Sequence, residues 1–321
     1  MRMRTTFIDT LTALAREDKD VVLLTGDLGF RIFDNLRSVL GPRFINAGVA
    51  ESNMVSVAAS MALMGKKVYC YSMAPFLVMR AFEQVRVDVC AHKAPVRLVG
   101  IGAGLGYPME GITHHAFEDV ALMRSLPGMT VVAPGDKLEA RMLTESSLDF
   151  NGPLYLRLAR DSADVVHQEL PKVGIGKAIR LTNDGGRYLL SSGPMLATAH
   201  TVASKLKAEG TPVSVWSVPT IKPLDMMLIE SILSEATTVI TLEEHSIIGG
   251  LGSAVSELIL ERGYRGDFMR LGLPDAYFEA VGDNAYLRSH VGLDDLGVYK
   301  RISALFTSKP GHQAQKAQYV R

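Results

Sequence analysis

The chain has 321 residues, 34 basic against 34 acidic, with 47% hydrophobic and 21% charged side chains. That is a globular composition with room for about two domains, and its neutral balance offers no electrostatic footprint for nucleic acid or an anionic membrane. Cys70 and Cys90 stand alone, without a CxxC spacing or a Cys/His cluster. They imply neither a disulfide framework nor a zinc site, and a reducing cytoplasm is the expected compartment.

The N-terminal MRMRTTFIDTLTALARED turns amphipathic and acidic within one helix length and reads as mature protein. No apolar run reaches the roughly 18 residues that span a bilayer, so no membrane segment is expected. Phe7, Leu11, Leu14 and Ala15 recur at helical spacing, and VVLLTG (21–26) is a continuous apolar run ended by glycine. A helix over 51–64, strand KVYCYS (67–72), a helix over 76–91 and strand PVRLVGIG (95–102) follow. A helix near 116–125, strand TVVAP (130–134), a helix near 136–147 and strand PLYLRL (153–158) complete this half. Apolar strands separated by helices predict a parallel sheet covered on both faces, with ligands at the strands' carboxyl ends. The loops 25–31, 71–76 and 101–115 should therefore converge.

Periodicity fades over 161–186, and alternation then resumes with strands at 187–192, 212–218 and 237–244 and helices near 195–209, 224–234, 250–262 and 294–306. The predicted organisation is α/β, two doubly wound domains over 1–165 and 186–308, each a mostly parallel sheet with helices on both faces. A linker is expected at 166–185 and a flexible tail at 309–321.

One acid stands out. Glu51 sits between NAGVA and the apolar run MVSVAASMALMG. It is either a first-turn acid complementing the helix dipole or a buried carboxylate that exchanges a proton with a ligand nitrogen. On composition alone the dipole reading leads. In IGAGLGYPMEGITHHAFED (101–119) the glycines miss the dinucleotide fingerprint in register. Adjacent His114 and His115 cannot share one helix face as a metal pair, so one is a candidate substrate-binding or acid/base group and the other a satisfied structural histidine. Phe76 and Phe82 are packing rings or a stacking platform for a flat ligand. Arg4, Arg157 and Arg160 are candidate anion ligands.

Taken together, FINAGVAESNM, APFLVMRAFEQVRVDV, EGITHHAFEDVALMRSLPGMTVVAPGD, TIKPLD and EEHSIIGGLGSAV resemble the pyrimidine-binding and C-terminal domains of transketolase. The resemblance spans about residues 4–306 and looks most like the C-terminal subunit of a split, two-chain enzyme. It implies thiamine diphosphate as cofactor. It places Glu51 on the family's catalytic glutamate, which bonds the aminopyrimidine and promotes removal of the thiazolium C2 proton. Phe76 falls on the stacking ring, with Phe82 close by as a second cofactor-site ring. His114 falls on a substrate histidine and Arg4 and Arg160 on phosphate-holding arginines. Asp27 matches the acid of the first strand-end loop.

Two positions depart from the family pattern. Gly102 replaces a histidine that contacts donor hydroxyls, and Glu110 replaces an aspartate that selects hydroxyl stereochemistry, so a changed sugar preference is expected. The Gly-Asp-Gly motif that holds the diphosphate and Mg2+ is missing, since Gly26-Asp27-Leu28 and Gly282-Asp283-Asn284 both lack the second glycine. A partner subunit is therefore expected to supply that half, in an α2β2 heterotetramer that transfers a two-carbon ketol unit from a ketose or ketose phosphate to an aldehyde. The alternatives are a beta-type chain of a 2-oxoacid dehydrogenase E1, a 1-deoxyxylulose-phosphate-synthase-like fragment and a non-catalytic scaffold. A stand-alone nucleotide-binding module rests on the fold alone.

Overall fold

The computed structural model describes residues 2–29, 31–160 and 165–307, so the tail expected at 309–321 lies outside the described residues. The first half runs α1 (Met3–Glu17), β1 (Val21–Thr25), α2 (Asp34–Leu40), β2 (Phe44–Asn46), α3 (Glu51–Leu63) and β3 (Lys67–Met73). An irregular helical segment over 76–91 contains α4 (Phe82–Gln84) and leads to β4 (Arg97–Ile101), α5 (Asp119–Ser125), β5 (Thr130–Val132), α6 (Lys137–Ser147) and β6 (Leu154–Leu158). These six strands pair in parallel in the order β2-β1-β3-β4-β6-β5.

Both faces of the sheet are buried because successive side chains point to opposite sides and both sides are apolar. Val22, Leu24, Val68, Cys70 and Leu98 pack under α3, the 76–91 segment and α5. Leu23, Tyr69, Tyr71, Val99 and Leu156 pack under α1, α2 and α6. Cys70 and Cys90 are buried free thiols. The chain leaves β1 toward β2 on one side and returns to β3 on the other, so the carboxyl ends of β1 and β3 flank a topological switch point, where such sheets open a crevice.

The second half continues with β7 (Ile179–Arg180), β8 (Arg187–Ser192), α7 (Leu196–Ala208), β9 (Ser214–Ser217) and β10 (Thr220–Lys222). It ends with α8 (Met226–Glu235), β11 (Thr238–Ser246), α9 (Leu251–Glu261), β12 (Asp267–Leu273), α10 (Asn284–His290) and α11 (Asp295–Thr307). Its sheet has the order β12-β11-β8-β9-β7, parallel except for β7. The architecture is the two-part, mostly parallel α/β fold expected.

Three details differ from expectation. TIK of TIKPLD forms β10, which leaves its own half and pairs antiparallel with β5 in the first sheet, Thr220 opposite Val132. The segment 76–91 is not one regular α-helix: Phe76–Arg80 and Val85–Ala91 are wound in wider i→i+5 turns that still turn Leu77, Val78, Val85, Val89 and Cys90 into the core. Within the expected linker, Ile179–Arg180 is an edge strand. The Val166 and His167 N–H groups are also tied at 3.0 Å to the Asp136 carboxylate, which caps α6 as well.

Candidate functional site

Glu51 opens α3, yet its carboxylate does not lie along the helix end. The side chain is only 2% exposed and is turned into the crevice between β1 and β3. Ser72 at the end of β3 donates to Glu51 Oε1 at 3.3 Å, and Arg80 Nη1 donates to Oε2 and Oε1 at 3.3 and 3.5 Å. Gly26 after β1 makes the room, since a Cβ there would stand 3.3 Å from Glu51 Oε1. An acid serving only the helix dipole would sit in solvent. This one is enclosed at the switch point.

An array of planar groups runs outward from Glu51. The Arg80 guanidinium lies over the Phe76 ring, 3.8 Å from its centre. The His114 ring meets Phe76 edge-on at 5.1 Å, and the Tyr107 ring lies 5.7 Å beyond His114. The Arg160 guanidinium is 4.6 Å from the Tyr107 ring, and its Nη1 is 3.5 Å from Glu110 Oε1. His114 Nδ1 and Thr113 Oγ1 are 2.8 Å apart. Gly102, at φ +88°, belongs to the same wall: a side chain there would collide with the Tyr107 ring. The expected residues Glu51, Phe76, Gly102, Glu110, His114 and Arg160 thus come together from loops distant in sequence.

Arg4 approaches from α1. Burial pushes the Tyr71 phenol up, Tyr107 adds to this, and the Arg4 charge opposes it. The buried Arg4 Nε has no hydrogen-bond partner among the described residues. Asp27, at φ 55°, exchanges two bonds with Asn46, accepting from Nδ2 at 2.8 Å and donating its own N–H to Oδ1 at 3.0 Å. Phe82 packs against the core under α3.

Two sequence expectations need correction. Arg157 is not available for an anion. Its Nε donates to Asp119 at 2.7 Å and its Nη2 to the carbonyls of Ala116 and Glu244 at 2.9 and 3.0 Å, all in the interior. Tyr155 donates to the same Asp119 oxygen at 2.6 Å. Burial works against charge on Asp119, but the Arg157 charge and the hydrogen bonds from Arg157 and Tyr155 outweigh it and hold the carboxyl below its usual range. His245, pushed down to about 4 by burial, is neutral near pH 7. His115 is not the satisfied histidine expected: both ring nitrogens are buried without a partner among the described residues, and burial lowers its pKa.

Sequence reasoning missed Ser72, Arg80, Tyr107 and Glu244. Glu244 Oε1 accepts from the Leu105 N–H at 2.9 Å and its Oε2 pairs with Arg288 at 2.5 Å, so the C-terminal half holds the 101–115 loop in place. Leu105 within that loop and Phe117 just after it pack into the core of the C-terminal half. The only prior signal for Glu244 was its place in EEHS.

Residues 1–164 match the transketolase pyrimidine-binding domain and residues 176–295 the transketolase C-terminal domain. The chain is 33% identical over 299 residues to an apulose-4-phosphate transketolase subunit of Phocaeicola vulgatus, covering 92% of this chain and 95% of that one. It is 35% identical over 292 residues to a 6-deoxy-6-sulfo-D-fructose transketolase subunit of Clostridium sp. strain MSTE9, covering 91% and 90%. Among solved structures, a split-gene transketolase described as an inactive β4 tetramer superposes with a TM-score of 0.86 at 31% identity, covering 96% of this chain and 98% of that chain. The chain belongs to the transketolase family, and it matches the separately encoded second subunit of that family's split members.

Proposed function

We propose that this chain is the pyrimidine-binding subunit of a thiamine-diphosphate-dependent transketolase that moves a two-carbon ketol unit from a ketose to an aldehyde, its active site shared with a second subunit. The observation that carries the reading is the enclosed Glu51 carboxylate at the switch point, bridged to the Phe76 ring by the Arg80 guanidinium that touches both. A carboxylate and an aromatic face within reach of one flat group suit the edge and face of an aminopyrimidine. Thiamine diphosphate would supply the nucleophilic carbon that carries the ketol unit.

The chain's own residues then take distinct tasks. Glu51 holds a proton at the pyrimidine ring nitrogen, and Ser72 fixes the carboxylate's orientation. Phe76 supports the ring face. His114, between Phe76 and Tyr107, faces the substrate and serves its hydroxyl protons. Arg160 and Arg4 take the substrate's anionic end, and Gly102 and Glu110 shape the sugar pocket. Asp27 and Phe82 support the cofactor pocket from the first loop and from the 76–91 segment. Two relatives are named for sugars that carry a phosphate or a sulfo group, which favours an anionic terminus here too.

The diphosphate and Mg2+ half is assigned to the partner subunit, because the Gly-Asp-Gly motif is missing from this sequence. The inactive β4 form of the split-gene relative is consistent with a need for a second kind of chain. An α2β2 assembly follows by analogy with the family's paired sites.

A second reading has support from relatives: the chain is 33% identical over 307 residues to a 1-deoxy-D-xylulose-5-phosphate synthase of Chlorobium phaeovibrioides, spanning 48% of that protein. One experiment separates the two. The chain is mixed with its partner subunit, thiamine diphosphate and Mg2+, and ketose cleavage is followed beside 2-oxo acid decarboxylation. Ketol transfer is expected; turnover of 2-oxo acids alone would overturn the proposal.

A further inference from the structure

Arg80 lies on both groups that the proposed function assigns to the pyrimidine. Its guanidinium covers the Phe76 face at 3.8 Å, and its Nη1 reaches both oxygens of Glu51 at 3.3 and 3.5 Å. A guanidinium is flat and delocalised and presents N–H donors along its edge. An aminopyrimidine offers the same two features, a face to stack and a nitrogen-bearing edge to bond. One ring face and one carboxylate cannot hold both at once.

We propose that Arg80 is a resident stand-in for the cofactor's pyrimidine, which neutralises Glu51 in the unloaded chain and must leave before the cofactor seats. This rests on the functional reading above and adds a competitor to it. A buried carboxylate without a partner is unfavourable, so the unloaded site needs a cation or a proton at Glu51. Arg80 fills that need.

The structure also shows why the stand-in can leave. The bonds to Glu51 are long, and the Arg80 side chain is 47% exposed, so water receives the guanidinium when it swings out. The backbone stays put: Ser52 Oγ, one residue after Glu51, donates to the Arg80 carbonyl at 2.9 Å. The widened turn Phe76–Arg80 sets Arg80 four positions beyond Phe76, from where its side chain reaches back over the ring. Only the side chain has to move.

An occupant of this kind weakens the apparent affinity for the ligand that replaces it. In the complex with the partner subunit and Mg2+, Arg80→Met should bind thiamine diphosphate roughly tenfold more tightly, the size of one cation–π contact plus one loose ion pair, and Arg80→Lys should fall between. Calorimetry measures the affinities. In parallel, the Arg80 Nε–Hε signal of the unloaded 15N-labelled chain should be displaced upfield by the Phe76 ring current. It should lose the displacement in Phe76→Leu and in the wild-type complex on adding thiamine diphosphate. Unchanged or weaker binding by Arg80→Met overturns the inference, as does an undisplaced Arg80 signal in the unloaded chain. If the wild-type complex binds no thiamine diphosphate, the functional reading falls and the inference with it; binding that ignores Arg80→Met removes the inference alone.

Discussion

Two arginine–carboxylate pairs in this molecule use the same chemistry to opposite ends. Arg157 and Asp119 lie in the interior between the two halves, both side chains out of solvent, with bonds of 2.6 to 2.9 Å from Tyr155, Arg157 and to the Ala116 carbonyl. Arg80 and Glu51 meet at 3.3 Å with one partner buried and the other open to solvent. The first pair has no exchangeable member and acts as structure. The second has a buried acid whose partner can be replaced, which is what a binding site needs. Burial of the acid is common to both; access of the arginine is what separates them.

That contrast can be broken by substitution. The largest effect is expected from Glu51→Gln, which keeps the shape but removes the proton carrier: ketol transfer by the reconstituted enzyme should fall by about 10³-fold with the melting temperature little changed. Activity near wild type would return Glu51 to the role of a dipole acid. Asp119→Ala should do the reverse, costing on the order of 3–5 kcal/mol in urea unfolding because it strands the buried Arg157 charge. A stability loss under about 1 kcal/mol would show that water reaches the pair.

Smaller effects sharpen the boundary. Gly102→Ala introduces a side chain at φ +88° against the Tyr107 ring. It should cost about 1–2 kcal/mol of stability and raise KM for the sugar while leaving cofactor affinity unchanged. The smallest expected effect concerns His167, whose Nε2 is 2.6 Å from Glu139 Oε1. Burial disfavours its charge, but the hydrogen bond and charge of Glu139 prevail and raise its pKa above the ordinary 6.5. A folded-state value above the unfolded one gives stability that is complete below the unfolded value and fades as pH rises through the folded one. The urea midpoint should therefore decline as pH rises above the ordinary histidine value of 6.5, and His167→Gln should flatten that decline.

The central strands of the first sheet were legible because they are mainly apolar runs, as in VVLLT and LYLRL, buried on both faces. β2 has three residues and β12 is an edge strand whose first four positions are half or fully exposed, so neither carries that signal. The wide turns of 76–91 were hidden because i→i+5 winding keeps the same residues apolar. Glu51 was legible as a charge in an apolar context. Arg80 was not, since an arginine on an amphipathic segment reads as solvated and its partner lies 29 positions away. Tyr107 likewise gains meaning only once the fold lays its ring against Gly102.

The crossing of β10 into the neighbouring sheet has a consequence for anyone dividing this protein. Cutting between the halves would strip β5 of its outer neighbour and leave a row of open N–H and C=O groups along an apolar edge. A fragment ending before residue 186 should then self-associate through that edge, whereas the chain carried through Lys222 covers it.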